Sequence, residues 1–166
     1  PPNTGVGGTG YGDPVEAYSG NDQRPIVDLQ MFAGVGTHRL AWVRYANTRY
    51  ASGANYFGTG ANVRHSYQWE MVPSGSGFKI NYPEGAVWTF NPVSGSAGQY
   101  AATAACPDRL FQNGTSYVLQ KANGSQYYFQ LVGAIYEMVY FRDKYGSQYN
   151  LTYDTMGRVT KVSEPG

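Results

Sequence analysis

The sequence is short of charge. Only 12 basic and 11 acidic side chains occur in 166 residues, and the formal net charge is +1. Nucleic acid requires a clustered basic face, so that class of partner is not expected. Long apolar runs are missing as well. None approaches the ~18 residues that would span a bilayer as a helix, so no membrane span is expected. Ala, Glu, Lys, Leu and Arg do not dominate, which excludes a coiled coil. Cysteine is nearly absent: Cys106 stands alone, so the chain cannot build an internal disulfide framework. Cys106 reads first as a small buried hydrophobe, next as a cross-link between chains, and last as a catalytic thiol, since only His38 and His65 could activate it.

Aromatic residues and glycine are abundant instead, with 16 Tyr, 7 Phe, 3 Trp and 22 Gly. Such a composition does not describe a disordered, solvating chain. One domain is the default at this length, and it buries about 70% of its unfolded surface. Residues 1–25 are poor in hydrophobes and read as a Gly/Pro-rich extended arm. Residues 26–166 then read as one β domain, with YD-type hairpins over 138–166. The chain opens on Pro1-Pro2-Asn3 without a signal-peptide pattern, which reads as a processed product or a piece of a longer chain. It closes on Val162-Ser163-Glu164-Pro165-Gly166, turn residues placed where a next repeat would begin.

The period-2 signal is strong after the arm. Val27, Leu29 and Met31 alternate with Asp28 and Gln30, and Leu40 to Tyr45 is rich in strand formers. His65, Tyr67, Trp69 and Met71 predict one face of a half-buried strand, with Ser66, Gln68, Glu70 and Val72 on a wet face. Phe78 to Tyr82 and Val87 to Phe90 flank Pro83-Glu84-Gly85-Ala86 and predict a hairpin. Residues 91–109 show no period and read as a loop. Asn113-Gly114 and Asn123-Gly124 are hairpin signals. Strands follow around Tyr127 to Leu131, Ile135 to Phe141, Tyr149 to Tyr153 and Val159 to Val162. The expectation is an all-β antiparallel meander of about ten short strands, open at its edges and without helices.

Few residues point to chemistry. Gly5-Val6-Gly7-Gly8-Thr9-Gly10 matches a dinucleotide-binding spacing but lacks the strand before it and the helix after it, so no cofactor is expected. His38 and His65 have no second ligand at metal spacing, so no metal site is assigned. The acidic residues are scattered; a folded pair such as Glu70 with Glu137 is open, but nothing selects it, and no enzymatic activity is expected. Asn113, Asn123 and Asn150 begin N-glycosylation sequons, which ordinary turn chemistry also explains.

The segment Tyr153-Asp154-Thr155-Met156-Gly157-Arg158-Val159-Thr160 resembles the tyrosine–aspartate (YD) repeat of RHS proteins. Tyr140-Phe141-Arg142-Asp143-Lys144-Tyr145-Gly146 is similar to the strand and turn that precede a first such repeat. Gly12-Asp13-Pro14-Val15, Arg44-Tyr45-Ala46-Asn47, and Phe57-Gly58 with Arg64-His65-Ser66-Tyr67 resemble the N-terminal region of RHS shells. The repeat motif proper is Tyr153, Asp154, Gly157 and Arg158. Asp154 would accept turn amides, Gly157 would take positive φ, and Arg158 would stack on an aromatic ring. The resemblance implies a β-shell architecture. One repeat alone cannot enclose cargo.

The functional expectation is a secreted or cell-surface structural protein related to YD-repeat shells, which self-assembles into filaments through strand edges and aromatic contacts. Its partners would be copies of itself or the rest of such a shell. Val6, Tyr11, Val15 and Tyr18 would carry the assembly arm, by strand addition. The alternatives are a carbohydrate-binding or adhesive module, with Trp42, Trp69 and Trp88 as stacking or interface rings, and the N-terminal fragment of a toxin-encapsulating shell.

Overall fold

The computed structural model describes residues 15–16, 21–31, 39–47, 63–103 and 105–164. Among these residues there are fourteen strands and no helix, so the chain is all-β. Four strands form a small antiparallel sheet: β1 (Val15–Glu16), β2 (Asn21–Gln30), β3 (Ala41–Asn47) and β4 (Val63–His65). β2 runs through residue 25, where the sequence placed the end of the arm.

The other ten strands form a second sheet. They are β5 (Glu70–Ser74), β6 (Gly77–Asn81), β7 (Val87–Pro92), β8 (Gln99–Ala101), β9 (Arg109–Asn113), β10 (Ser116–Gln120), β11 (Gln126–Val132), β12 (Ile135–Arg142), β13 (Gln148–Tyr153) and β14 (Val159–Ser163). Each pairs with its sequence neighbour as far as β12. β12 then also pairs with β5, placing Tyr136 opposite Met71 and Glu137 opposite Glu70. Strands β5 to β12 therefore close into an eight-stranded up-and-down barrel, where the sequence predicted an open meander. Closure removes the strand edges that an open sheet leaves unpaired. The outer edge of β12 is shared: its first half pairs β5, and Tyr140 to Arg142 pair β13. β13 and β14 extend from the barrel at this fork.

Seven of the eight barrel strands contribute one almost wholly buried inward side chain: Met71, Ile80, Phe90, Leu110, Leu119, Phe129 and Met138. Burying each contributes roughly 1.5–3 kcal/mol. β8 contributes Tyr100, which packs partly buried against this core. One barrel end carries the tight turns at Gly75, Gly114 and Gly133. It is filled by Phe78, Tyr100, Tyr117 and Tyr136, whose rings meet at steep angles with centroids 4.5–6.2 Å apart. The opposite end is filled by nearly parallel rings: Trp69 on Tyr127 at 4.3 Å, Tyr127 on Phe141 at 5.9 Å, and Phe141 on Tyr149 at 4.8 Å. Fifteen of the 26 aromatic side chains lie in this core or against it. Packing within the chain thus uses more than half of the aromatic side chains.

Three local expectations are corrected. Residues 91–109 are not a loop throughout. β7 runs on to Pro92, and β8 is a three-residue strand, too short to show a period, held by backbone pairing on both sides. The predicted strand over 65–72 breaks at Ser66–Tyr67, where the chain leaves the small sheet and enters the barrel. Its wet face is partly dry, because Gln68 and Glu70 are buried in mutual hydrogen bonding. The alternation along β12 is interrupted by a bulge opposite Tyr128 and Phe129, which turns both Met138 and Phe141 inward. Cys106 is a free thiol buried in the core.

Candidate assembly edge and barrel-mouth cavity

Four turns share one backbone pattern. In each, a first residue donates its N–H to the carbonyl four residues on and accepts the N–H of a glycine three residues on. The first residues are Tyr82, Lys121, Asp143 and Asp154, and the glycines are Gly85, Gly124, Gly146 and Gly157. This is a type I turn followed by a glycine in the left-handed region, the usual three-residue hairpin loop. Gly146 and Gly157 hold φ at 90° and 76°, which a side chain would strain.

The Asp143 and Asp154 turns are the closest pair, eleven residues apart in sequence. Asp143 Oδ1 accepts the N–H groups of Tyr145 and Ser147, both at 2.9 Å. Asp154 Oδ1 accepts those of Met156 and Arg158, also at 2.9 Å. The Arg158 N–H is the largest of the contacts that hold the Asp154 carboxyl below its ordinary range. Arg158 turns its guanidinium onto Asp154, Nε to Oδ2 at 2.7 Å. Tyr153 leans the other way, its hydroxyl donating to the Met138 carbonyl of β12 at 2.6 Å. Tyr153, Asp154, Gly157 and Arg158 thus form one hairpin, tied to the barrel by the tyrosine and shaped by the aspartate.

That hairpin ends in β14, which among the described residues pairs only with β13. Beside it lies a groove of about 420 Å³ walled by Leu29, Met31, Leu40, Trp42, Val159 and Val162. Leu29 and Met31 lie on one face at the end of β2, 71% and 47% exposed, whereas a bulge between Val27 and Leu29 puts Val27 opposite Val43 and Leu29 opposite Trp42, so the alternation expected from the sequence breaks there. A single exposed aliphatic residue is ordinary; two side by side on the groove wall, next to a strand edge unpaired among the described residues, form an apolar patch. Of the residues assigned to an assembly arm, Val6, Tyr11 and Tyr18 lie outside the described residues. Val15 belongs to β1 and pairs in register with Asp22.

The three tryptophans are not brought together. Trp69 is buried with rings on both sides, Tyr127 at 4.3 Å and Tyr82 at 4.7 Å, so no sugar can stack on it. Trp42 stacks on His65 at 4.3 Å, and Trp88 is half-buried against the core. His65 is buried, and its Nδ1 accepts the Tyr67 N–H at 3.3 Å. Burial, reinforced by the Arg64 charge, lowers its pKa to about 4, so it is neutral at pH 7. His38 lies outside the described residues. Glu70 and Glu137 do meet, directly opposite on β5 and β12, both buried. Arg64 bridges Glu70 at 2.7 Å, and Gln68 donates to it at 3.1 Å, which makes this a packed ionic cluster. Asn113, Asn123 and Asn150 are all exposed.

Sequence reasoning did not find two features. The first is Asp108, buried at the barrel end, which accepts the Tyr82 hydroxyl at 2.8 Å and pairs with Lys121 at 2.9 Å. The Lys121 ammonium sits 4.5 Å from the Tyr82 ring centroid. Burial and Asp108 together push the Tyr82 phenol far upward, so it stays protonated and donates. The second is a cavity of about 230 Å³ at the same end, between β3 and the barrel. Tyr45, Tyr67, Trp69, Glu84, Tyr127 and Phe141 contribute to its walls. Burial first, and the Glu84 charge second, raise the Tyr127 phenol to about 12 and move Tyr45 the same way. These residues come from separate elements, so no local spacing marks them.

No protein-family model matches the chain, and no curated protein matches it significantly.

Proposed function

We propose that this chain is an extracellular scaffold module of the YD-repeat kind, which assembles by strand addition at β14. The carrying observation is the outer edge of β14, unpaired among the described residues, beside a groove lined by exposed Leu29 and Met31. The closed barrel forms a rigid cap, and the Asp143 and Asp154 turns set a repeating hairpin geometry that leads away from it. An incoming strand would satisfy the β14 backbone and cover the apolar groove together. Main-chain pairing supplies affinity and the groove supplies register. The partners are copies of this chain or the remainder of a YD-type shell. Head-to-tail addition of copies gives filaments unless the rotation closes.

Sedimentation and negative-stain electron microscopy test this. The chain is expected to form extended oligomers. The double substitution Leu29→Lys with Met31→Lys is expected to leave folded monomers, because both side chains are already exposed. Single small particles from the unaltered chain at high concentration would overturn the reading.

A further inference from the structure

We infer that Tyr128 and Tyr140 form an oxidative cross-linking site, where a haem peroxidase working with hydrogen peroxide joins the two rings into dityrosine. The two residues stand directly opposite one another on β11 and β12. Their rings stack with centroids 4.0 Å apart and planes 19° from parallel. Carbon atoms in contact lie about 3.5–4.0 Å apart, so the two rings already touch face to face. Phe129 and Phe141 beside them are buried in the core, so by alternation Tyr128 and Tyr140 face outward. Both are only half-buried, and an oxidant in solution can reach them. The Tyr128 ring is held from its far end, where the hydroxyl donates to Gln126 Oε1 at 2.8 Å. By contrast, Tyr117 meets Tyr100 and Tyr136 edge to face, at 64° and 88°, inside the packed barrel end.

Each phenol gives one electron to the oxidant and its hydroxyl proton to water, leaving two neutral phenoxyl radicals. The Arg142 guanidinium lies 5.3 Å and 5.7 Å from the two ring centres, so a cationic radical is disfavoured and the proton leaves readily. Radical density falls partly on the ring carbons beside each hydroxyl oxygen. One such carbon from each ring forms the new C–C bond. The hydrogen on each of those carbons then moves to the phenolic oxygen, which restores both aromatic rings and both hydroxyls. Two electrons and two protons leave the protein in all, and they reduce one hydrogen peroxide to two waters. The partners are held in contact, so coupling within the chain outpaces encounter with a second chain. The bond ties β11 to β12 beside the register shift at Tyr128 and Phe129. It restricts the unfolded chain as a disulfide does, in a protein whose one cysteine cannot. This inference does not rest on the assembly reading, because both tyrosines belong to one chain.

The test treats the dilute full chain with a haem peroxidase and hydrogen peroxide. The expected product is a monomer lighter by two hydrogens, with dityrosine fluorescence and proteolytic fragments joined through residues 128 and 140. Tyr140→Phe keeps the stacked ring and removes only the hydroxyl. It is expected to cut the yield of that monomer about tenfold or more, because the paired radical is lost. Tyr145→Phe removes a more exposed phenol and is expected to leave the yield unchanged. The purified cross-linked monomer is expected to unfold at a higher urea midpoint than the untreated chain. The inference is overturned if no dityrosine forms or if it appears only in dimers. It is equally overturned if the joined fragments carry other tyrosines, or if Tyr140→Phe gives the same monomer in full yield. A urea midpoint no higher than before would overturn the stabilising role of the bond.

Discussion

Two glycines in the β5–β6 turn separate backbone strain from close packing. Gly75 holds φ at +61° with nothing within 4 Å of where a Cβ would sit. Gly77 has ordinary φ, but its Cβ would lie 2.0 Å from the Phe90 carbonyl oxygen of β7. Ordinary contact begins near 3.4 Å, so alanine at 77 demands a shift of about 1.4 Å between two backbones. Phe90 is paired with Phe78 in the barrel ladder, and its side chain is fully buried. That shift breaks about two ladder hydrogen bonds at ~1 kcal/mol each. It adds overpacking of about 1–3 kcal/mol. Gly77→Ala is therefore expected to cost about 3–5 kcal/mol, and Gly75→Ala only about 1–2 kcal/mol. With a urea m-value of about 2 kcal/mol/M, the midpoint falls by roughly 2 M for the first variant and under 1 M for the second. Urea unfolding followed by tryptophan fluorescence reads both. A Gly77→Ala midpoint no lower than that of Gly75→Ala would refute the β6–β7 geometry, and with it the barrel register.

Two further outcomes concern pH. His65 has a folded pKa of about 4, below its ordinary 6.5, so its contribution is complete above 6.5 and is lost as pH falls toward 4. The loss amounts to about 3 kcal/mol. His65→Phe is expected to flatten this part of the stability curve, and an imidazole that titrates near 6.5 by NMR would contradict the burial. The Asp154 carboxyl is held low, so its hold on the Met156 and Arg158 amides is present at neutral pH and lost as pH drops below the ordinary carboxylate range. Hydrogen exchange, corrected for intrinsic rates, should show those two amides lose protection in acid and in Asp154→Ala; protection that survives in the variant removes the carboxylate from the turn.

The hairpins were legible because their information is local. Pro83 to Ala86, Lys144 to Gly146 and Asp154 to Gly157 announce their turns, and the turns fix the neighbours. Asn113-Gly114 was legible as a turn but not in detail: Asn113 ends β9, and Gly114 alone takes positive φ. What was illegible is non-local. Nothing near Glu70 or Glu137 says that β5 will meet β12, and the barrel depends on that meeting. Glu70 argued for a wet face, and its contacts with Arg64, Gln68 and Asn81 explain why it is dry. The candidate cavity was hidden for the same reason, since Tyr45, Glu84 and Tyr127 come together only when the small sheet meets the barrel end. The last strand was legible too, because Val159 to Val162 alternates as a strand after the Asp154 turn.

The single join between β5 and β12 also shapes how the chain reaches its native state. Every other barrel pairing links neighbours across a few residues and can form within microseconds to milliseconds. Glu70 and Glu137 are 67 positions apart, and their pairing must wait until the intervening hairpins stand in order. Loop-closure entropy grows only slowly with length, so the wait adds little to the equilibrium and much to the clock. Until the join forms, the nascent meander exposes two sticky edges, β5 and β12. That interval, rather than the finished barrel, is when this protein is most open to mispairing with another copy of itself.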